Sequence, residues 1–195
     1  MLKNNLILEH WFGEIELTEA YYSQKIPWWF FGRNPELDEY CFHALQQRSQ
    51  FKEEELVMSQ VPKEALLQIL LFDQFPRNAF RDDPRAHDWD EIALKFSLAA
   101  IEKKIDQKLS LPERIFIYMP LEHSENQKHQ DLSVDKFYEL HREAPKEIKK
   151  WTRLGLEKAL DHQATIRKFG RFPSRNEKLG RSYTPAEMKF LGINV

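Results

Sequence analysis

Cysteine, glycine and long apolar runs are what this sequence has least of. Its single cysteine, Cys41, excludes an intrachain disulfide and fits a reducing, cytoplasmic setting. Cys41 shares a helical stripe with Leu37, Tyr40 and Ala44, which suits a small buried hydrophobe rather than a nucleophile. Only six glycines occur in 195 residues, and neither Asn-Gly nor Asp-Gly is among the dipeptides, so hairpin signals are missing. The longest apolar stretches, such as Ile69 to Phe72 and Ile115 to Leu121, fall far short of the ~20 residues that span a bilayer. Near the start, Glu9 and His10 interrupt the apolar run that a signal peptide needs, so no membrane partner is expected. A dominant charge is also missing. With 29 basic against 31 acidic residues the net charge is −2, which argues against a nucleic-acid partner. There is no Gly-x-Ser-x-Gly, no P-loop and no His-Glu-x-x-His, so nothing announces a serine nucleophile, a nucleotide or zinc. No cofactor or metal is expected.

Helix signals fill the space that strands leave. Asp83-Pro84 reads as a helix start, with Trp89, Ile92, Ala93, Phe96 and Ala100 following at helical spacing. Ser110-Leu-Pro-Glu113 and Thr184-Pro-Ala-Glu187 read as capping boxes, and Asn34-Pro35 as another start. Pro145 is expected to open a long helix to about Lys168, with Gly155, Ala159, His162, Ile166 and Phe169 on one stripe. Arg114 to Tyr118 has β-forming composition, but it follows a good capping box and is read as helix. Pro120 is expected to end or kink that helix. The expectation is an all-α chain of antiparallel helix pairs, a tetratricopeptide-like array forming one domain over residues 1–195.

Polar residues in apolar places carry the functional reading. The run LLFDQFPRN ends on Phe75-Pro76-Arg77-Asn78, and FGRFPSRN repeats the pattern at Phe172-Pro173 with Arg175 and Asn176. Two helix ends that stop and turn alike would explain both. Asp73 falls on the stripe of Leu66, Ile69 and Leu70, where a carboxylate needs a partner; Arg77, Arg171 and Arg175 are the candidates. Glu122, His123, Ser124 and Glu125 crowd one helix-ending turn, and a histidine beside a carboxylate suits acid–base chemistry. Backbone capping by the same side chains is the alternative. Between Arg167 and Arg181 stand six cations against Glu177 alone, and arginine binds carboxylate or phosphate through paired hydrogen bonds. The competing reading spends these arginines on the chain's own carboxylates. Pro27-Trp-Trp-Phe-Phe31 is expected to plug the core beneath a loop.

Taken in order, LLFDQFPRN, YMPLEHSE with Gln130 following, His162 ahead of FGRFPSRN, and LGRSYTPAEMKFL resemble the bacterial domain-of-unknown-function family 924. The similarity runs from Trp11-Phe12 to Leu191. Its signature carries over to Asp73 through Asn78, to His123, Ser124, Glu125 and Gln130, and to His162. It also carries over to Phe169 through Pro173, Arg175, Asn176, Gly180 and Arg181. Ser174 departs from it, because the family often has histidine there. The resemblance implies an all-helical, tetratricopeptide-like fold and no particular activity.

Two functions from different classes fit. In the first, Asp73, Arg77, Asn78, Gln130, Arg171, Arg175, Asn176 and Arg181 line a pocket for a small anionic molecule. In a hydrolase or transferase His123 or His162 is then the acid–base group, and Glu125 or Asp73 the carboxylate that orients it. In the second, the chain is a helical scaffold for a protein partner, and the same residues pin corners. A closed pocket favours the first and a broad groove the second.

Overall fold

The computed structural model describes residues 4–30, 35–48, 56–81 and 83–193, and among these every regular element is helical. In chain order they are α1 (Asn4–Phe12), α2 (Glu19–Phe30), α3 (Pro35–Arg48), α4 (Pro62–Ala79) and α5 (Asp90–Glu102). Then come α6 (Leu111–His123), α7 (Gln127–Glu143), α8 (Lys149–Phe169) and α9 (Pro185–Leu191). Asn34, expected to cap α3, and Phe31, expected in the aromatic plug, lie outside the described residues.

Two helices form the hub. In α4, Ala65, Leu66, Ile69 and Leu70 are all fully buried, and in α6 so are Phe116, Ile117, Tyr118 and Leu121. Helices apolar on so many sides must be surrounded, and α4 touches α1, α3, α5 and α6. By contrast α7 and α8 bury one face each and pack on one another. From α3 to α8 sequential neighbours pair (α3 with α4, α4 with α5, α5 with α6, α6 with α7, α7 with α8), and short connections make such neighbours antiparallel. Trp11 is fully buried at the centre of an aromatic cluster with Trp28, Phe75 and Phe116. Its carbonyl accepts from Trp29 Nε1 and Lys25 Nζ, each at 3.0 Å, which ties α2 to α1. Cys41 is buried and its thiol is pushed up in pKa by burial, as a small core hydrophobe should be.

Both capping boxes form: Glu113 Oε2 accepts from Ser110 N at 3.0 Å, and Glu187 Oε2 from Thr184 N at 2.7 Å. Neither Pro76 nor Pro120 ends its helix. Pro120 and Pro76 both lie inside their helices, and α6 runs on to His123. A proline near a C-terminus removes one ladder bond, and dense packing on every side of α4 and α6 outweighs that loss. Asp83-Pro84 caps a single 3-10 turn, Pro84–His87, and α5 starts afresh at Asp90. Trp89 interrupts the two with φ −112° and ψ 10°. Likewise Pro145 precedes a 3-10 turn, Lys146–Ile148, before α8 begins.

Candidate functional site

The C-terminal ends of α4 and α6 meet with their polar residues facing one another. Asp73 is fully buried on α4, and its Oδ1 lies 2.6 Å from Nδ1 of His123, the last residue of α6. Gln74 Nε2 donates to Asp73 Oδ2 at 2.6 Å. Arg77 Nη1 reaches the Asp73 carbonyl at 2.7 Å and lies 2.8 Å from Asp90 Oδ1 at the start of α5. Arg175 Nη1 completes the ring, donating to the His123 carbonyl at 3.0 Å and sitting 3.6 Å from Asp90 Oδ2. Asp90 Oδ2 is also 3.3 Å from His87 Nδ1.

Charge decides the protonation of this cluster. Burial would raise the Asp73 carboxyl, but neighbouring His123 and then Arg77, with hydrogen bonds from His123 and Gln74, hold it below the usual carboxylate range. Asp90 is held down in the same way by the His87 hydrogen bond and Arg77, against the cost of burial. Burial and then the Arg77 charge push the His123 imidazole down to about 4, overcoming the pull of Asp73. At neutral pH His123 is therefore uncharged. An ionised Asp73 can only accept, so Nδ1 of His123 carries the proton and Nε2 keeps the lone pair. Nε2 makes no hydrogen bond among the described residues.

His123 also lines a cleft of about 400 Å³ between α2, α6, α7 and α8. That volume is within the ~300–1,000 Å³ of small-molecule sites. Glu122, His162 and Lys158 line it with His123, and its other walls are mainly apolar. Glu122 is almost fully buried, and burial raises its carboxyl above the ordinary value. His162 Nδ1 sits 3.4 Å from Glu122 Oε2, off the hydrogen-bond direction, and its ring meets the Phe172 edge at 5.3 Å.

The other expected site residues separate from this cluster. Glu125, a candidate for orienting His123, instead accepts from Arg181 Nη1 at 2.7 Å, Arg181 Nη2 at 3.0 Å and Phe172 N at 2.8 Å. These bonds and the Arg181 charge lower its carboxyl despite burial. Asp73 takes the orienting place. Arg171 grips Glu187 through Nε at 2.6 Å and Nη2 at 2.8 Å, and Asn176 Nδ2 reaches the same carboxylate at 3.4 Å. Gln130 is fully buried, and its Nε2 serves the carbonyls of Leu121, Glu122 and Ser124, so it closes the end of α6. Asn78 bonds the Gln74 carbonyl at 3.0 Å and accepts from Arg81 at 2.6 Å. No cluster of three or more metal-ligating side chains occurs among the described residues.

Sequence reasoning left out Asp90, His87 and Lys158 as site residues, and named Glu122 only as part of the crowded turn. Asp90 lies in the polar run Asp88-Trp-Asp-Glu91, where no pattern distinguishes it from a helix-starting acid. Glu122 was legible from its place beside His123, and Lys158 from its place one helical turn before His162.

Comparison with known proteins agrees with this architecture. No curated protein matches the chain. A solved structure of a protein of unknown function from Agrobacterium tumefaciens superposes with a TM-score of 0.68 at 27% identity, covering 90% of this chain and 94% of that one. The model of a family of bacterial proteins of unknown function, DUF924, matches residues 7–194. With nearly the whole described fold inside that match, the chain belongs to the DUF924 family.

Proposed function

We propose that this protein is an enzyme acting on a small molecule held in the α2–α6–α7–α8 cleft, with His123 as its general base. One observation carries the reading: the 2.6 Å Asp73–His123 contact belongs to a histidine that lines a ligand-sized cleft. The carboxylate fixes the tautomer, and the free Nε2 is available to take a proton from water or a substrate hydroxyl. Hydrolysis or group transfer is the reaction class that such a base serves without a cofactor. Glu122, kept protonated to higher pH by burial, is a hydrogen-bond donor on the same cleft.

An anionic group on the ligand would meet Lys158, which lines the cleft. Arg171 and Arg181 are already committed to Glu187 and Glu125, so the ligand's anionic end would have little call on them. Arg175 stands behind the His123 backbone and positions it. A cleft of this volume supports a small ligand over an extended protein partner, and a cytoplasmic setting suits the single reduced thiol.

The test is a turnover screen of carboxylate and phosphate esters with wild type and His123→Ala. We expect one ester class to be turned over, with the rate lowered ~10²–10⁴-fold in the variant. The acid limb of the wild-type pH profile should fall near 4, the pKa of His123, rather than near 6.5. Turnover that persists in His123→Ala at the wild-type rate would remove the proposal.

A further inference from the structure

The cleft has a direction. Along α8 its wall runs from Trp151 through Leu154 and Gly155 to Lys158 and His162. Eleven helical steps of about 1.5 Å from Trp151 to His162 make that wall about 16 Å long. Along α6 the order is the same, from Ile115 through Met119 to Glu122 and His123. Because α6 and α8 each pair antiparallel with α7, they run parallel, and both deliver their polar groups to one end. The result is a trough that is apolar for most of its length; the Thr152 hydroxyl at the Trp151 end is bonded to His141 and the Lys149 carbonyl, and the titratable groups stand at the other end alone. Gly155 lets the Phe137 ring close on α8 as part of the wall: a Cβ there would stand 3.2 Å from Phe137 Cδ1.

Resting on the enzyme reading above, we infer that the trough takes a medium-chain acyl group, as a free carboxylate or as its ester. The chain lies between Ile115, Phe137 and Leu154, where it gains apolar contact and meets no unpaired charge. The carboxyl or carbonyl carbon lies at the Glu122–His123 end. Lys158 is the cation nearest that end of the wall, and its acidic neighbour Asp161 is 3.7 Å away, with both side chains more than half exposed. A pair so exposed is weak and leaves the ammonium available to a carboxylate. For an ester, His123 Nε2 takes the proton of a water whose oxygen attacks the carbonyl carbon. The tetrahedral oxyanion accepts a hydrogen bond from the Glu122 hydroxyl. The C–O bond to the alcohol then breaks as protonated His123 returns the proton to the departing oxygen. Carboxylic acid and alcohol are the products, and no oxidant or further reactant enters.

The experiment is isothermal titration calorimetry with acetate, butanoate, hexanoate, octanoate and methyl octanoate. Affinity should rise about fourfold per added methylene, the equivalent of ~0.8 kcal/mol. Leu154→Trp, checked by thermal melting to be folded, should abolish octanoate binding. Lys158→Glu lies on the exposed rim. It should weaken octanoate about tenfold if the free acid is the ligand, and leave methyl octanoate unchanged. His123→Ala should still bind octanoate, so loss of turnover with binding intact would separate the catalytic reading from this one. Affinity independent of chain length, or wild-type binding by a folded Leu154→Trp protein, would overturn the inference.

Discussion

Asp73 to Asn78 and Phe169 to Asn176 use nearly the same letters on two different backbones. The first stays helical through Pro76 to the end of α4. The second leaves α8 at Gly170, whose φ of +69° is the left-handed turn that glycine takes without strain, and re-forms only as the 3-10 turn Pro173–Arg175. Both phenylalanines are buried: Phe75 fully, against Trp11, and Phe172 against His162. The polar residues diverge. On α4 they face inward, Asp73 to His123, which lines the cleft, and Arg77 to Asp90. After α8 only Arg175 turns back to that cluster, at the His123 carbonyl and Asp90, while Arg171 holds Glu187 and Arg181, just beyond, holds Glu125. A regular helix aims Asp73 and Arg77 along one face, whereas a turn scatters its side chains and suits clamps that close a segment.

If that division is right, the two regions respond differently to mutation. Arg77→Ala takes the shared cation from buried Asp73 and half-buried Asp90, and chemical denaturation should show a loss of ~3–5 kcal/mol. For a chain this size that is roughly 2–4 °C of melting temperature per kcal/mol. An unchanged melting curve would mean that the α4 cluster carries no structural charge balance.

Protonating His123 is the next largest effect. The unfolded histidine takes its proton near 6.5, while the folded one resists until about 4. Its contribution is therefore complete above pH 6.5 and is lost as pH falls towards 4, for a total of up to about 3 kcal/mol. Glu122 acts with the opposite sign, since its raised pKa costs stability as pH climbs past the ordinary carboxylate value. Stability curves of wild type and His123→Gln, subtracted, should isolate the histidine window. A flat difference between pH 6.5 and 4 would contradict the buried neutral imidazole.

Removing a clamp from the second segment should cost less. Arg181→Ala leaves Glu125 with Phe172 N alone in a half-exposed setting, a loss of ~1–3 kcal/mol by denaturation. Turnover in the ester screen should stay at the wild-type rate in this variant, and a hundredfold loss would place the second segment in the chemistry. Smallest of all, Lys178→Ala should change stability by less than ~0.5 kcal/mol, because its bond to the Arg81 carbonyl is exposed.

What the sequence determined by itself was local. Capping boxes at Ser110 and Thr184, apolar spacing in α4 and the scarcity of glycine were enough for an all-helical chain, because each acts within a few residues. Asp73 was visible as a charge on an apolar stripe, and His123 as a histidine among acids. The sequence could not show which acid meets which base. Glu125 lies two residues from His123 yet pairs with Arg181, while Asp73, fifty residues away, takes the imidazole. That choice belongs to the packing of α4 on α6, which places their ends side by side. Neither could local pattern tell a proline that ends a helix from one that burial holds inside it, since the cost of Pro76 and Pro120 is local and the packing that offsets it comes from helices elsewhere in the chain.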